Sequence, residues 1–350
     1  MIRREIGGKW AKALMLWSSL WMFFAWLAVG AGWMLFNHYR YAPLPGITAP
    51  LVIEIASGSS FVATAGQLRD QGVIGSGWPF MVLAGLQARV AHIRAGEYRL
   101  LPGLTPQGLL DQLVKGDILL HRLTLVEGWT FHQIRADLMA RPEIRQTLAG
   151  LSDAAVMAAL GITDLSPEGH FFPDTYLFAR GTSDLQLLQQ AHHRLNQELD
   201  AAWRTRAPDL PLKSPEELLT LASLVEKETA VASERPQIAG VFVRRLRLGM
   251  PLQTDPTVIF GLGEAFDGNL KRADLLMNHP YNTYRIIGLP PGPIALPGRA
   301  ALEAAAHPAS GDALYFVARG DGSHVFSSTL DTHNRAVDCY QRHRCQGAAH

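Results

Sequence analysis

From Ala13 to Phe36 the chain carries no charged side chain, and Trp17, Trp21, Trp26 and Trp33 stand there among Leu, Met, Phe and Ala. A helix over that block, rising about 1.5 Å per residue, is long enough to cross a hydrocarbon core of about 30 Å. The small residues from Ala28 to Gly32 would also suit the end of a cleaved secretory signal. The apolar run, however, exceeds the roughly 7–15 residues of a signal core, so a retained transmembrane helix over 13–36 is predicted. Arg3, Arg4, Lys9 and Lys12 precede it against a single Glu5. By the positive-inside rule, residues 1–12 are then expected in the cytoplasm and everything after about residue 40 outside, facing the periplasm or the cell exterior.

The rest of the chain reads as water-soluble protein. Its 350 residues are 48% hydrophobic and 18% charged, with 32 basic against 31 acidic side chains. That balance excludes a disordered polar chain and a strongly basic nucleic-acid binder, so no nucleic-acid partner is expected. Cys339 and Cys345 stand close together near the C-terminus and could pair in an oxidising compartment or remain free thiols. A metal site is disfavoured, because His343 and His350 form no recognised ligand spacing with them.

Residues 37–49, with Pro43, Pro45 and Gly46, read as a short stiff linker. Leu51 to Ile55 is strand-like, and Ser60 is placed to cap a helix carrying Phe61, Ala65 and Leu68. The pattern returns as Leu123 to Val126, then Gly128-Trp129-Thr130-Phe131 with Ile134 and Leu138, a weak repeat of strand, turn and capped helix. Between the copies, Thr105-Pro106 is a cap followed by proline at the first helical position. Short strands alternating with short helices predict an α+β fold whose small modules suit an extended polymer, or a stalk that merely positions the C-terminal part of the chain. Farther on, helices are expected over 185–204, 215–229 and 235–248. A long irregular region of 249–298 and a closing hairpin of 314–318 with 323–327 complete the chain.

The helix from Pro215 carries the most chemistry. Ser214 and Glu217 form an S-x-x-E capping box that specifies its start. On a helical wheel Glu226 falls between Leu219 and Ala222, on the flank of the apolar face, whereas Lys227 points away. A carboxyl carried toward the interior either forms a salt bridge or, partly desolvated, becomes a general acid with a raised pKa. Glu228 lies about 200° round the helix and is not expected to pair with it.

The segments Leu221-Ala222-Ser223-Leu224-Val225-Glu226-Lys227-Glu228-Thr229-Ala230, Ser233-Glu234-Arg235, Leu252-Gln253-Thr254-Asp255-Pro256-Thr257-Val258, Tyr281-Asn282-Thr283-Tyr284 and Gly288-Leu289-Pro290-Pro291-Gly292-Pro293-Ile294 resemble the MltG/YceG family of endolytic murein transglycosylases. The likeness extends to the anchor, to Glu168–Tyr176, and to Ala305-Ala306-His307-Pro308 and His333-Asn334. It implies a LysM-like peptidoglycan-binding region over 50–140, a catalytic α+β domain over 141–340 and a tail over 341–350. The activity it implies is cleavage of the β-1,4 bond between N-acetylmuramic acid and N-acetylglucosamine in nascent strands, leaving 1,6-anhydromuramoyl ends. The family's catalytic glutamate maps onto Glu226, and no metal or other cofactor is implied.

Gln253, Thr254, Asp255, Tyr281, Asn282 and Tyr284 are then candidates for contacts to sugar hydroxyls, acetamido groups and pyranose faces, although Asp255 and Asn282 equally suit loop-tying turns. Glu168 and Asp174 better suit a structural role in the aromatic turn than a second carboxylate. The family setting also implies partners among the peptidoglycan synthases of elongation or division. A lyase acting on a small metabolite fits poorly with an extracytoplasmic domain on a membrane anchor, and two further rivals remain open. One is a hydrolytic muramidase with a second carboxylate about 5–10 Å from Glu226; the other is a non-catalytic wall-binding scaffold.

Overall fold

The computed structural model describes residues 3–163 and 165–344, which form two compact units, Met1–Leu120 and His121–His350. The first begins with helix α1 (Arg3–Tyr41), within which Trp17–Tyr41 is long and apolar enough to cross a membrane. The helix outruns the predicted end at Phe36, and the expected linker of 37–49 is not a free spacer. Leu44 and Ile47 are each only 4% exposed, and Phe36 packs against the same core. Gly46 lies so close to the Gly72 carbonyl that an added Cβ would stand 1.7 Å from its oxygen, which fastens the segment down.

Strands β1 (Leu51–Ile55) and β2 (Gly96–Leu100) pair antiparallel, Leu51 opposite Leu100 and Ile55 opposite Gly96. Alternation buries Ile53, Ile55, Tyr98 and Leu100 on one face. Helices α2 (Phe61–Asp70), α3 (Gly77–Leu86) and α4 (Pro106–Lys115) complete the unit. As predicted, Ser60 caps α2 by accepting the Ala63 N–H, and Thr105 caps α4 with Pro106 behind it. Phe61 and Phe80 stack at 5.5 Å between centroids.

In the second unit β3 (Leu120–Thr124) leads into α5 (Phe131–Met139) and α6 (Asp153–Ala159), and β3 pairs with β4 (Thr175–Ala179). Leu123, Phe131, Ile134 and Leu138 pack with Phe171, Tyr176, Phe178 and Leu187. The second copy of the repeat therefore belongs to this unit, and the division falls at 120/121 where the sequence suggested 140/141. The side chains that cover its helix come from downstream, which local pattern could not reveal.

Helices α7 (Asp184–Thr205), α8 (Pro215–Glu228) and α9 (Arg235–Arg247) match the predicted ones within a few residues. The region expected to be irregular contains α10 (Asp255–Leu262) and the single turn α11 (Arg272–Leu275). It is followed by α12 (Arg299–Ala306). Strands β5 (Tyr315–Ala318) and β6 (His324–Ser327) form the predicted hairpin, Tyr315 opposite Ser327, before α13 (Leu330–Tyr340). Cys339 lies in α13, and Cys345 lies outside the described residues.

α8 is the axis of this unit. It packs against α7, α9, α10 and α12, and every residue from Leu218 to Val225 is buried. The wheel argument assumed a water-facing side; the structure instead surrounds the helix, and its polar ends alone reach the surface. Ser214 caps it by accepting the Glu217 N–H at 3.3 Å. The reciprocal half of the capping box is absent: the Glu217 carboxylate takes the Lys213 N–H at 2.6 Å instead of that of Ser214.

Candidate active site

Glu226 stands in the last turn of α8, where the buried helix emerges into an open cleft of about 650 Å³. The cleft is walled by Val126 to Trp129 and Gln133 on one side, and by Glu226 to Ala230 with Arg235 on the other. The Glu226 side chain is only 6% exposed. Its Oε2 accepts the Gly298 N–H at 3.0 Å, and its Oε1 lies 3.5 Å from an Nη of Arg235. Desolvation pushes its pKa above the ordinary carboxylate value; the Gly298 N–H opposes this, the neighbouring Glu127 charge adds to it, and Arg235 opposes it again. Glu226 thus touches a cation and yet has its pKa raised.

Glu127, in the turn between β3 and α5, was not singled out from sequence. It packs on the flank of Gly298 where a side chain would otherwise stand, its Oε1 1.9 Å from the position of a Cβ. Gly298 thus serves two carboxylates, giving its N–H to one and its open flank to the other. Arg235 was quoted only as part of a motif; its side chain is 11% exposed and its Nε has no partner among the described residues. Lys227, although on the outer side of α8, reaches back to the Gly128 carbonyl at 3.3 Å. The signal available in sequence was a carboxylate followed by glycine between a strand and a capped helix, a turn too common to stand out alone.

Three of the other candidates, Thr254, Asp255 and Tyr284, gather beside Glu228. Against the wheel argument Glu228 borders the same cleft, where its carboxylate accepts the Thr254 hydroxyl. Its pKa is raised to about 7, chiefly by desolvation, against the Thr254 hydrogen bond and with the Asp255 charge adding. Thr254 is 2% exposed, and its N–H goes to the Thr283 hydroxyl at 3.0 Å. Asp255 is exposed at the start of α10 and accepts the Tyr284 hydroxyl at 2.6 Å, a pairing that, after desolvation, raises the Tyr284 pKa.

Gln253 is exposed and holds φ at +51°, a left-handed conformation costly for a residue with a Cβ. It is pinned by its N–H to Thr283 and by Arg245, whose Nη1 donates to its Oε1 at 3.3 Å. Tyr281 is half-buried against Phe260, with ring centroids 4.8 Å apart.

Asn282 does not face a cleft. It is fully buried, its amide donating to the Leu275 and Met277 carbonyls while its oxygen accepts the Tyr284 N–H. It ties the loop, the Asx-turn alternative open in the sequence. Glu168 is likewise structural: 8% exposed, it accepts the Phe131 N–H at the start of α5, and desolvation raises its pKa to about 7. Among the described residues no group of three or more His, Cys, Asp or Glu could hold a metal ion.

The cleft thus holds two carboxyls with raised pKa values, Glu226 and Glu228, at the end of a buried helix of an α+β unit. Residues 53–339 match the YceG-like family, and the chain belongs to it. Among its relatives, the endolytic murein transglycosylase of Bacillus subtilis strain 168 is 34% identical over 305 residues, covering 82% of this chain and 84% of that protein. The endolytic murein transglycosylase of Streptococcus pneumoniae strain D39 is 29% identical over 322 residues, and the match spans 58% of its length. A crystal structure of a YceG-like protein from Listeria monocytogenes aligns with a TM-score of 0.53 at 30% identity, over 82% of this chain and 99% of that one.

Proposed function

We propose that this protein is an endolytic murein transglycosylase whose acid is Glu226. It would cut the β-1,4 bond between N-acetylmuramic acid and N-acetylglucosamine in nascent peptidoglycan strands. The observation that carries the proposal is the Glu226 carboxyl, 6% exposed in an open cleft and with its pKa raised by desolvation. Such a group is protonated nearer neutrality than an ordinary glutamate and can give its proton to the departing glycosidic oxygen. As the bond breaks, positive charge grows on the sugar ring and the carboxylate is released. The Gly298 N–H and the Arg235 guanidinium then stabilise the new anion where it forms. Glu226 next removes the proton of the sugar's own 6-hydroxyl, which closes onto the anomeric carbon and leaves a 1,6-anhydro end. One carboxyl thus acts first as acid and then as base.

Thr254, Asp255 and Tyr284, beside Glu228, together with Gln253 and Tyr281, would supply the contacts to the glycan. The capped helix modules of the first unit would serve as the LysM-like wall-binding region. Membrane-bound peptidoglycan synthases of elongation or division are the partners this setting favours. With the basic N-terminal flank in the cytoplasm, the cleft faces the periplasm.

Glu127 favours one second reading. A hydrolytic muramidase needs a second carboxylate to activate water, and Glu127 borders the same cleft and acts electrostatically on Glu226. Mass spectrometry of fragments released from purified peptidoglycan by the full chain separates the two. Internal fragments ending in 1,6-anhydromuramic acid, lost with Glu226→Gln, are the expected result. Reducing ends would make Glu127 the base of a hydrolase, and identical traces from protein and variant would remove Glu226 from the chemistry.

A further inference from the structure

We propose that helix α3 rests in the lipid headgroup region beside the anchor, so that the first unit lies on the bilayer surface. α3 (Gly77–Leu86, GWPFMVLAGL) contains no charged or amide side chain. Phe80, Leu83 and Ala84 fill the core on one side. At 100° per residue, Met81, Gly85, Trp78, Val82 and Leu86 fall consecutively across roughly 140° of the other side. That outer face is open: Trp78 and Leu86 are each 68% exposed, and Met81 and Val82 partly so. The exposed face of a helix in water carries polar residues, and this one carries none.

Its neighbour in the fold indicates what covers it. α3 and α4 pack against the end of α1, whose Phe36 joins the core of the unit. Gln107 of α4 accepts from the Arg40 Nε at 2.7 Å and from the Gln87 amide, at the C-terminal end of α3, also at 2.7 Å. Arg40 is the first strongly basic residue after the apolar stretch, and Phe36 precedes it by about one helical turn, or roughly 6 Å. The end of α3 is therefore held at the level where α1 leaves the hydrocarbon.

At that level an apolar face with an exposed tryptophan is matched to the membrane–water interface, where indole rings settle. The occupant is the lipid surface itself. The proposal needs α1 to cross the bilayer and does not depend on the activity proposed above. Its consequence is that the first unit lies against the leaflet instead of swinging on a tether.

The test uses the full chain in vesicles of phosphatidylethanolamine and phosphatidylglycerol. A nitroxide is attached through a ketone-bearing residue at position 78, 82 or 86, and for comparison at exposed position 99 on β2. Collisions with dissolved oxygen, which favours lipid, are compared with those of a water-soluble nickel chelate. Oxygen collisions severalfold above chelate collisions at 78, 82 and 86, with the reverse at 99, are expected. Chelate dominance at 78 and 86 would show a face open to water. Low collision rates with both reagents would show a second copy or another protein covering it; either result overturns the proposal.

A second arm places the label at 82 in a chain carrying Trp78→Glu and Leu86→Glu, both at exposed positions. The label should move to water while α1 stays inserted; a label that keeps its oxygen preference would mean that α3 contributes nothing to docking.

Discussion

Desolvation raises the Glu226 pKa, and three neighbours modulate it in opposite directions, each of which can be tested by the pH dependence of cleavage. The acid must be protonated to begin, so activity falls as pH rises through its pKa. Removing a negative neighbour favours the ionised form, so Glu127→Gln should move the alkaline limb to lower pH and depress activity more at pH 8 than at pH 5. Arg235→Gln should move it the other way. Gly298→Ala has an ordinary backbone φ of −75° to work with, yet its Cβ would collide with the movable Glu127 carboxylate. It should cost less than about 1 kcal/mol of stability while shifting the profile as Glu127→Gln does. An unmoved profile in all three variants would mean that none of these groups faces the reacting carboxyl. Glu226 was legible in the sequence because a glutamate closes an apolar helical run. Glu127 and Gly298 were not, because their meeting depends on a turn and a loop far apart in the chain.

Among the elements, α8 shows most plainly what packing adds to pattern. Its start is written in Ser214-Pro215, and Ser214→Ala should cost about 1 kcal/mol in denaturant unfolding, the ordinary cost of a lost cap. The pH profile of cleavage should be unaffected, since Ser214 lies at the opposite end of the helix from Glu226. A stability loss well under half that size would indicate that burial alone sets the helix start. The caps of α2, α4 and α5 were equally readable, since Ser60, Thr105 and Thr130 bond to amides within their own first turns. The burial of α8 on every side was not readable, because the helices that cover it come from both before and after it in the chain. The short α10 escaped notice for a related reason: Asp255-Pro256 begins it, but eight residues are too few for a clear period.

For the whole molecule, the apolar span of α1 predicts retention in the membrane fraction after alkaline carbonate extraction, and release of a chain beginning at Ala42. Protease added to the outer side of spheroplasts should digest everything beyond α1 and spare a tag at the N-terminus. Loss of that tag would reverse the orientation inferred from Arg3, Arg4, Lys9 and Lys12. The division at 120/121 belongs to this scale. Leu123, Phe131 and Ile134 repeat the spacing of the first module but find their core among Phe171, Tyr176 and Phe178.

By itself the sequence determined an N-terminal helix long and apolar enough to cross a membrane, the capped helix starts, the closing hairpin and the glutamate at the end of α8. Each of these rests on interactions among residues close together in the chain. Only the tertiary structure decided that Asn282 is spent on loop carbonyls, that Glu228 borders the cleft, and that Glu127 and Gly298 stand beside Glu226. Those outcomes depend on contacts between distant segments, whose energies no local pattern encodes.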